Sequence, residues 1–596
     1  MSDRTEEFRK QPPAPLAPRP LNLPVPEETA LANGLRVVIV EAPRLPLVSF
    51  RLAFRTGDAF DPPELSGLTD ILTSMLTEGT ETLDSRQIAD EVARLGATLT
   101  AGANADYTTV AASSLSYYGE RVLELLADVA LNPSFPEDEL ELTKQNVQQN
   151  LIAQRAQASF LATEMVARVL FGEHPYAVVS PTPESIERMT REHLSSFHRS
   201  MLIPNNAVLF IAGDVRREEM LARIEELFGG WQPGELPTSQ FPSLPARTSR
   251  VVYLVDRPDS AQSNIVIANP GITRTDPDYF PLLVMHTILG ATASSRLFMN
   301  LREEKGYTYG AYTSLDARRL AGTFRASAEV RTAVTGASLK EFFYELERIR
   351  EEDVAEKELG DAKSYLTGIF PIRLETQEGL IDQLVQIKMH DLPEDYLQTY
   401  RERISAVTRE DVRRVARAHI QPERAAIVVV GDAAALGEQV APYAQEIEVY
   451  DSAGQRKGLS SNGGDGDEAA TIVADRGHDS ETVAPDKRKT NGGNRQMDGI
   501  WNLEVNTPFG THPATLTFER TNGALTGHMN SRLGNVPLTD LKTTDEGFDA
   551  RVALDFQGRT FEADINGRVD DDRLDGTIKI GFPMAPTIRF TGTRSS

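Results

Sequence analysis

Few side chains in this sequence are spaced to do chemistry. Nine histidines are scattered through 596 residues. His193 and His198 are five apart, which puts them on different faces of a helix and speaks against a metal pair. His174, in front of Pro175-Tyr176, reads as a structural loop residue. There is no cysteine, so disulfides, thiolate zinc sites, iron–sulfur clusters and cysteine nucleophiles are excluded together. Gly290-Ala-Thr-Ala-Ser-Ser-Arg296 has one glycine and no Gly-Lys-Ser/Thr after it, so it is no phosphate cradle. No Gly-x-Ser-x-Gly elbow supports serine hydrolysis. What remains is a polar stripe on an apolar helix (Asp70, Thr73, Ser74), and the pair Arg302 and Tyr309. Taken alone, the stripe is a solvated helix face, Arg302 caps a helix and Tyr309 sits on a strand face.

The elements that position these residues come in two copies of one plan. Asn33-Gly34 marks a hairpin turn, followed by a buried strand over Leu35–Val40 and an alternating one over Val48–Phe54. Leu68, Ile71, Leu72, Met75 and Leu76 recur at helical spacing. A strand pair near Ala97–Ser114, a long helix from Glu137 to Ala158 and an apolar strand over Asn206–Asp214 complete the first copy. The second copy has strands at Arg250–Val255 and Ser263–Ala268 and a helix at Tyr279–Leu289. Strands at Tyr307–Leu315 and Gly322–Val330, helices through the 340s to 360s, and a strand over Ala425–Asp432 follow. The two strand ends Gly213-Asp214 and Gly431-Asp432 lie 218 residues apart, each after a matching helix, Thr190–Arg199 and Thr408–Arg417. A unit this long is no solenoid repeat. The fold expected is α+β: two repeated domains, each an antiparallel sheet with helices, forming a half-clamshell.

Composition places the rest. The formal charge is −25 and the sequence pI about 4.9. That surface repels phosphates and argues against nucleic acid as a partner. Residues 452–496 are rich in Gly, Ser, Asn and Asp, with seven acids and seven bases, and read as a flexible linker. The acidity therefore belongs to the folded body. From Met497 to Ser596, short alternating segments recur between glycines, as an all-β barrel or sandwich would require. Gly499-Ile-Trp-Asn-Leu503 and Phe590-Thr-Gly-Thr-Arg594 loosely resemble the two ends of a lipocalin-type barrel. The expected organisation is an extension (1–26), a first domain (27–231), a connector (232–247), a second domain (248–451), the linker (452–496) and the β domain (497–596). No apolar window reaches the length of a membrane span and the N-terminus has no signal-like apolar region, so the expectation is a cytoplasmic protein with no membrane partner.

Several of these residues resemble the pitrilysin/insulinase-type zinc metallopeptidases with two domains per chain. They are Gly79-Thr80 closing the first helix, Pro175-Tyr176 followed by Pro183-Glu184-Ser185-Ile186, both Gly-Asp strand ends, and Ser294–Phe298 leading into Leu301–Tyr309. The resemblance covers about residues 27–450 and implies a His-x-x-Glu-His zinc motif on the first helix, with a third Glu ligand on a later one. Aligned on Met75-Leu76 and Gly79-Thr80, the motif falls on Asp70-Ile71-Leu72-Thr73-Ser74, where both histidines and the glutamate are missing. The third-ligand segment, Leu142 through Thr163, has no Asp, Glu, His or Cys, and Asn150 takes the ligand position. Thr, Ser and Asn are poor zinc ligands and no general base remains, so no zinc cofactor is expected in this chain.

In two-chain members of that family a partner lacking the motif supplies an Arg/Tyr pair that holds the substrate near the metal. The resemblance implies that role for Arg302 and Tyr309. It further implies a heterodimer with a zinc-motif-bearing insulinase-family subunit, and a peptide substrate. The other reading is a structural or scaffold subunit that uses an inactive peptidase fold for protein contacts. An independent hydrolase would have to cleave peptides alone.

Overall fold

The computed structural model describes residues 23–237 and 240–457 and, between 499 and 594, nine strands without the turns joining them. Most of the N-terminal extension, and the linker from residue 458 to 496, lie outside the described residues. The chain divides between Arg476 and Gly477 into two units.

The first unit holds two six-stranded sheets. The first is built from β1 (Glu27–Ala30), β2 (Arg36–Glu41), β3 (Leu47–Phe54), β4 (Thr98–Ala103), β5 (Thr108–Leu115) and β6 (Ala207–Gly213), in the order β1-β2-β6-β3-β5-β4. The second uses β7 (Val251–Asp256), β8 (Gln262–Gly271), β9 (Thr308–Ala317), β10 (Gly322–Arg331), β11 (Ala426–Gly431) and β12 (Glu446–Tyr450), in the order β12-β7-β11-β8-β10-β9. The plans match strand for strand, with β6 and β11 ending in the two Gly-Asp steps. They differ at one edge. β1 comes from the start of its half and pairs antiparallel with β2; β12 comes from the end of its half and runs parallel to β7. The other pairs are antiparallel except β2 with β6 and β7 with β11.

Both sheets bury both faces, which is why their central strands read as unbroken apolar runs. On one face of the first sheet, Val37, Ile39, Leu209 and Ile211 pack on that half's own helices. On the other, Val38, Val40 and Phe210 pack with Leu380, Leu384 and Val385 of helix Gln377–Met389, which belongs to the second half. The exchange is mutual. Helix Ala158–Phe171 of the first half lies on β8 and β11, its Leu161, Met165, Leu170 and Phe171 packing with Val251, Val266, Val428 and Val430. Polar contacts sew the seam. Arg51 pairs with Asp382 at 3.0 Å and Arg55 with Asp391 at 2.7 Å, and Gln386 Nε2 donates to Tyr107 Oη at 2.7 Å. Tyr176 Oη donates to buried Asp106, whose second oxygen accepts Arg319 N at 2.9 Å.

Two helices differ from expectation. The long helix expected over Glu137–Ala158 ends at Arg155, and a second begins at Ala158, because this next helix crosses to the other sheet. The helix expected over Tyr279–Leu289 is α-helical to His286 and then widens into a π turn over Thr287–Ala291. The stretch Tyr279–Glu304 has the length and apolarity of a membrane span. It is broken at residues 292–295, and Leu282, Met285, Leu289, Leu297 and Leu301 are buried in the second-half core.

The second unit is an up-and-down antiparallel sheet whose ends are consecutive strands, Gly534–Pro537 and Thr539–Thr544. The first strand, Gly499–Thr507, pairs with the last, Thr587–Arg594, so the sheet curls into a nearly closed barrel. Its interior is filled by Trp501, Leu516, Phe518, Phe548, Leu574 and Phe590. Glycines make room: a Cβ at Gly576 would come within 2.3 Å of the Phe590 ring. The Arg594 guanidinium lies 4.9 Å from the Trp501 ring, joining the two ends of the chain's barrel.

Leu384 is 4 % exposed beneath the first sheet. Leu384→Ala is expected to cost about 2–5 kcal/mol by opening a cavity. It should speed amide exchange in β3 and β6, although it lies in the other half. Unchanged exchange there would contradict the mutual cover.

Candidate functional site

The helix carrying the polar stripe, Leu68–Met75, starts on Gly67 in the left-handed region (φ +87°). Asp61 caps it from outside, accepting Gly67 N at 2.9 Å, Thr69 N at 3.1 Å and Thr69 Oγ1 at 2.5 Å. Its apolar face, with Ile71, Leu72 and Met75, is buried. The stripe is not wholly solvated. Thr73 is buried, and both Thr73 Oγ1 and Ser74 Oγ donate back to Asp70 O at 2.9 Å. Those hydroxyls satisfy the helix's own carbonyl. Asn150 lies exposed on helix Glu137–Arg155. With a single carboxylate among hydroxyls and an amide, Asp70, Thr73, Ser74 and Asn150 do not make a zinc site. Among the described residues, no group of three or more His, Asp or Glu side chains could hold a metal ion.

What the sequence reading missed is the acid beside this helix. Asp58, Asp61, Asp70, Ser66, Glu173 and His174 line a concavity of about 150 Å³. Asp58 Oδ1 is buried and accepts no hydrogen bond. Burial, then the charges of Asp70 and Asp61, push the Asp58 carboxyl up to about 8, with only Arg318 opposing. Burial lifts Asp61 to about 7 despite its three donors, and desolvation raises Asp70 as well. His174 Nδ1 accepts Tyr176 N at 3.1 Å, the structural role expected of it. The signal was there in Asp58-x-x-Asp61-Pro62-Pro63 before the helix, but sequence spacing does not reveal that Asp58 ends unpaired.

Arg302 and Tyr309 lie in the second half, and no hydrogen bond, ion pair or ring contact joins them to the stripe. Arg302 sits on a π turn, Met299–Glu304. Its guanidinium lies 4.9 Å from the ring of buried Phe298 and its Nε 3.5 Å from Glu303 Oε1. Phe298 in turn lies 5.6 Å from Tyr312 on β9. Tyr309 is 89 % exposed on β9, the free edge of its sheet.

The internal repeat allows a comparison of these positions. Gly96 (φ +57°) and Gly306 (φ +63°) each precede an edge strand by two residues, β4 at Thr98 and β9 at Thr308. Counting from these glycines, Tyr309 matches Leu99 and Arg302 matches Val92, both packed against the first-half core. The ladders differ too. β4 pairs with β5 without interruption, Thr98 opposite Ser113 through Ala103 opposite Thr108. β9 slips by one: Ala311 opposes Ala328 but Thr308 opposes Val330, so Tyr309 and Gly310 together face Glu329. Such a bulge re-aims a side chain.

The raised carboxyls have a pH consequence. The folded state holds their protons more tightly than the unfolded chain. Their stabilising contribution is therefore full below the unfolded value near pH 4 and is lost as the pH rises through about 8 for Asp58. Asp58→Asn cannot ionise. It should melt above the parent at pH 8 and close to it near pH 4; matching melting curves at pH 8 would contradict the assignment.

Comparison with known proteins places this geometry. Residues 36–180 match the family model for insulinase (peptidase family M16), and residues 188–366 match that for the peptidase M16 inactive domain. An uncharacterized zinc protease of Mycobacterium tuberculosis is 29 % identical over 423 residues, covering 68 % of this chain and 93 % of the relative. One from Streptomyces coelicolor is 24 % identical over 409 residues, covering 68 % and 89 %. The crystal structure of a peptidase M16 inactive domain from Pseudomonas fluorescens is 28 % identical with a TM-score of 0.64, over 68 % of this chain and 98 % of that one. A protease from Helicobacter pylori shares the fold at 19 % identity and TM-score 0.64, over 68 % of this chain and 100 % of that one. With both halves matched in order, the chain belongs to the insulinase-type M16 peptidase family.

Proposed function

We propose that this chain is the non-catalytic subunit of a heterodimeric insulinase-type zinc peptidase. Its first domain closes one side of a peptide chamber. Its second presents Arg302 and Tyr309 to a substrate bound at the zinc site of a partner subunit. A guanidinium fork and a phenol both donate to a peptide carbonyl and stabilise oxyanion charge as it develops. The acidic body favours basic peptides, and the cytoplasm is the expected compartment.

The observation that carries this reading is an asymmetry between the two halves. The helix where the family's zinc ligands belong has hydroxyls folded back onto its own carbonyl. The matching edge of the second half turns a tyrosine outward by a bulge its counterpart lacks. A chain kept only as a scaffold has no use for an exposed phenol and guanidinium where the repeat packs leucine and valine.

Co-expression with a family member bearing His-x-x-Glu-His tests the reading. The chain alone should bind no stoichiometric zinc and cleave no peptide. The complex should cleave, and Arg302→Ala and Tyr309→Phe should each lower its kcat/KM by on the order of 10²-fold, the cost of one oxyanion donor. Cleavage undiminished in both variants, or cleavage by the chain alone, would overturn it.

A further inference from the structure

We infer that Thr308 is a positioning residue for Tyr309, holding the bulge that turns the phenol out of the sheet. The inference rests on the reading of Tyr309 as a substrate-facing group. Along β9, Ala311 and Thr313 are buried while Tyr312 and Ser314 are exposed. Strict alternation would put Tyr309 on the buried side, opposite Val330, which is fully buried. The extra residue reverses that phase. Thr308 takes the seat opposite Val330, and Tyr309 shares the outward side with Tyr312 and Ser314.

A bulge breaks the ladder and strands backbone groups that need other partners. The Thr308 hydroxyl supplies them. Its oxygen lies 2.6 Å from Glu329 O and 2.9 Å from Gly310 O, and accepts Gly310 N at 3.1 Å. One side chain thus ties the residue across the ladder to the second bulged residue, with Tyr309 held between. Gly310 fits the same arrangement, because a Cβ there would come within 2.6 Å of the Tyr312 ring. In the regular ladder of the first half, Thr98 at the matching position instead shares a hydrogen bond with Ser113 Oγ at 2.7 Å, the residue directly opposite.

The readout is the chemical accessibility of Tyr309 in the full chain, measured by tetranitromethane nitration and mass spectrometry. Tyr117, 88 % exposed, serves as the internal reference. In Thr308→Val, which keeps shape and strand preference but loses the hydroxyl, nitration of Tyr309 should fall several-fold relative to Tyr117. Thr308→Ser should restore it. Unchanged Tyr309 nitration in the valine variant would overturn the inference. If that variant does not fold, Thr308→Ala carries the same comparison. Failure of both to fold would show a need for the fold itself and overturn a role confined to aiming Tyr309. The functional reading fails separately: a Tyr309→Phe complex with full activity would remove it and leave the nitration result standing.

Discussion

Each central sheet of residues 23–457 has two apolar faces, and its own half supplies cover for only one of them. The second cover comes from the other half, through helices Ala158–Phe171 and Gln377–Met389. This exchange constrains everything else in the unit. Neither half can bury Val38, Phe210, Val428 or Val430 alone, so the two fold as one body. The relative placement of their edge strands is then set by a packed seam and not by the connector over residues 232–247.

Within that frame the halves have diverged at matching places. In the first, Asp58, Asp61 and Asp70 crowd beside helix Leu68–Met75 with little compensating charge. Burial, reinforced by the neighbouring carboxylates, pushes Asp58 up to about 8 and Asp61 up to about 7, so the wall is less anionic at neutral pH than its composition suggests. The second half retains an exposed guanidinium over Phe298 and a phenol turned outward by one extra residue in β9. Where the repeat packs Val92 and Leu99, this half exposes Arg302 and Tyr309.

Much of the fold was legible because burial on both faces writes itself as apolar runs: β2, β3, β6, β7 and β11 lie close to their expected places. The short edge strands were not. Glu27–Ala30 is polar and lacks the alternation that marks a half-buried strand, and Glu446–Tyr450, though it alternates, is only 5 residues long. The helix expected to run unbroken to Ala158 stops at Arg155, since helical periodicity continues through Ala156-Gln157 while the chain changes direction to reach the other sheet. Nothing local encodes that destination. At the site, residue types pointed to Arg302 and Tyr309 only through a family resemblance. The outward turn of Tyr309 depends on register against β10, and the unpaired state of Asp58 depends on which loops meet it. Thr73, expected on a solvated face, is buried because the helix sinks further than its polar stripe implies.

The proposed partnership sets a chain without zinc ligands beside one that has them. Affinity purification of the tagged full-length chain from its native extract, with mass spectrometry of what elutes, tests this most directly. An equimolar insulinase-type chain carrying His-x-x-Glu-His should elute with it. Elution with only non-peptidase proteins would contradict the partnership and make the chain a scaffold.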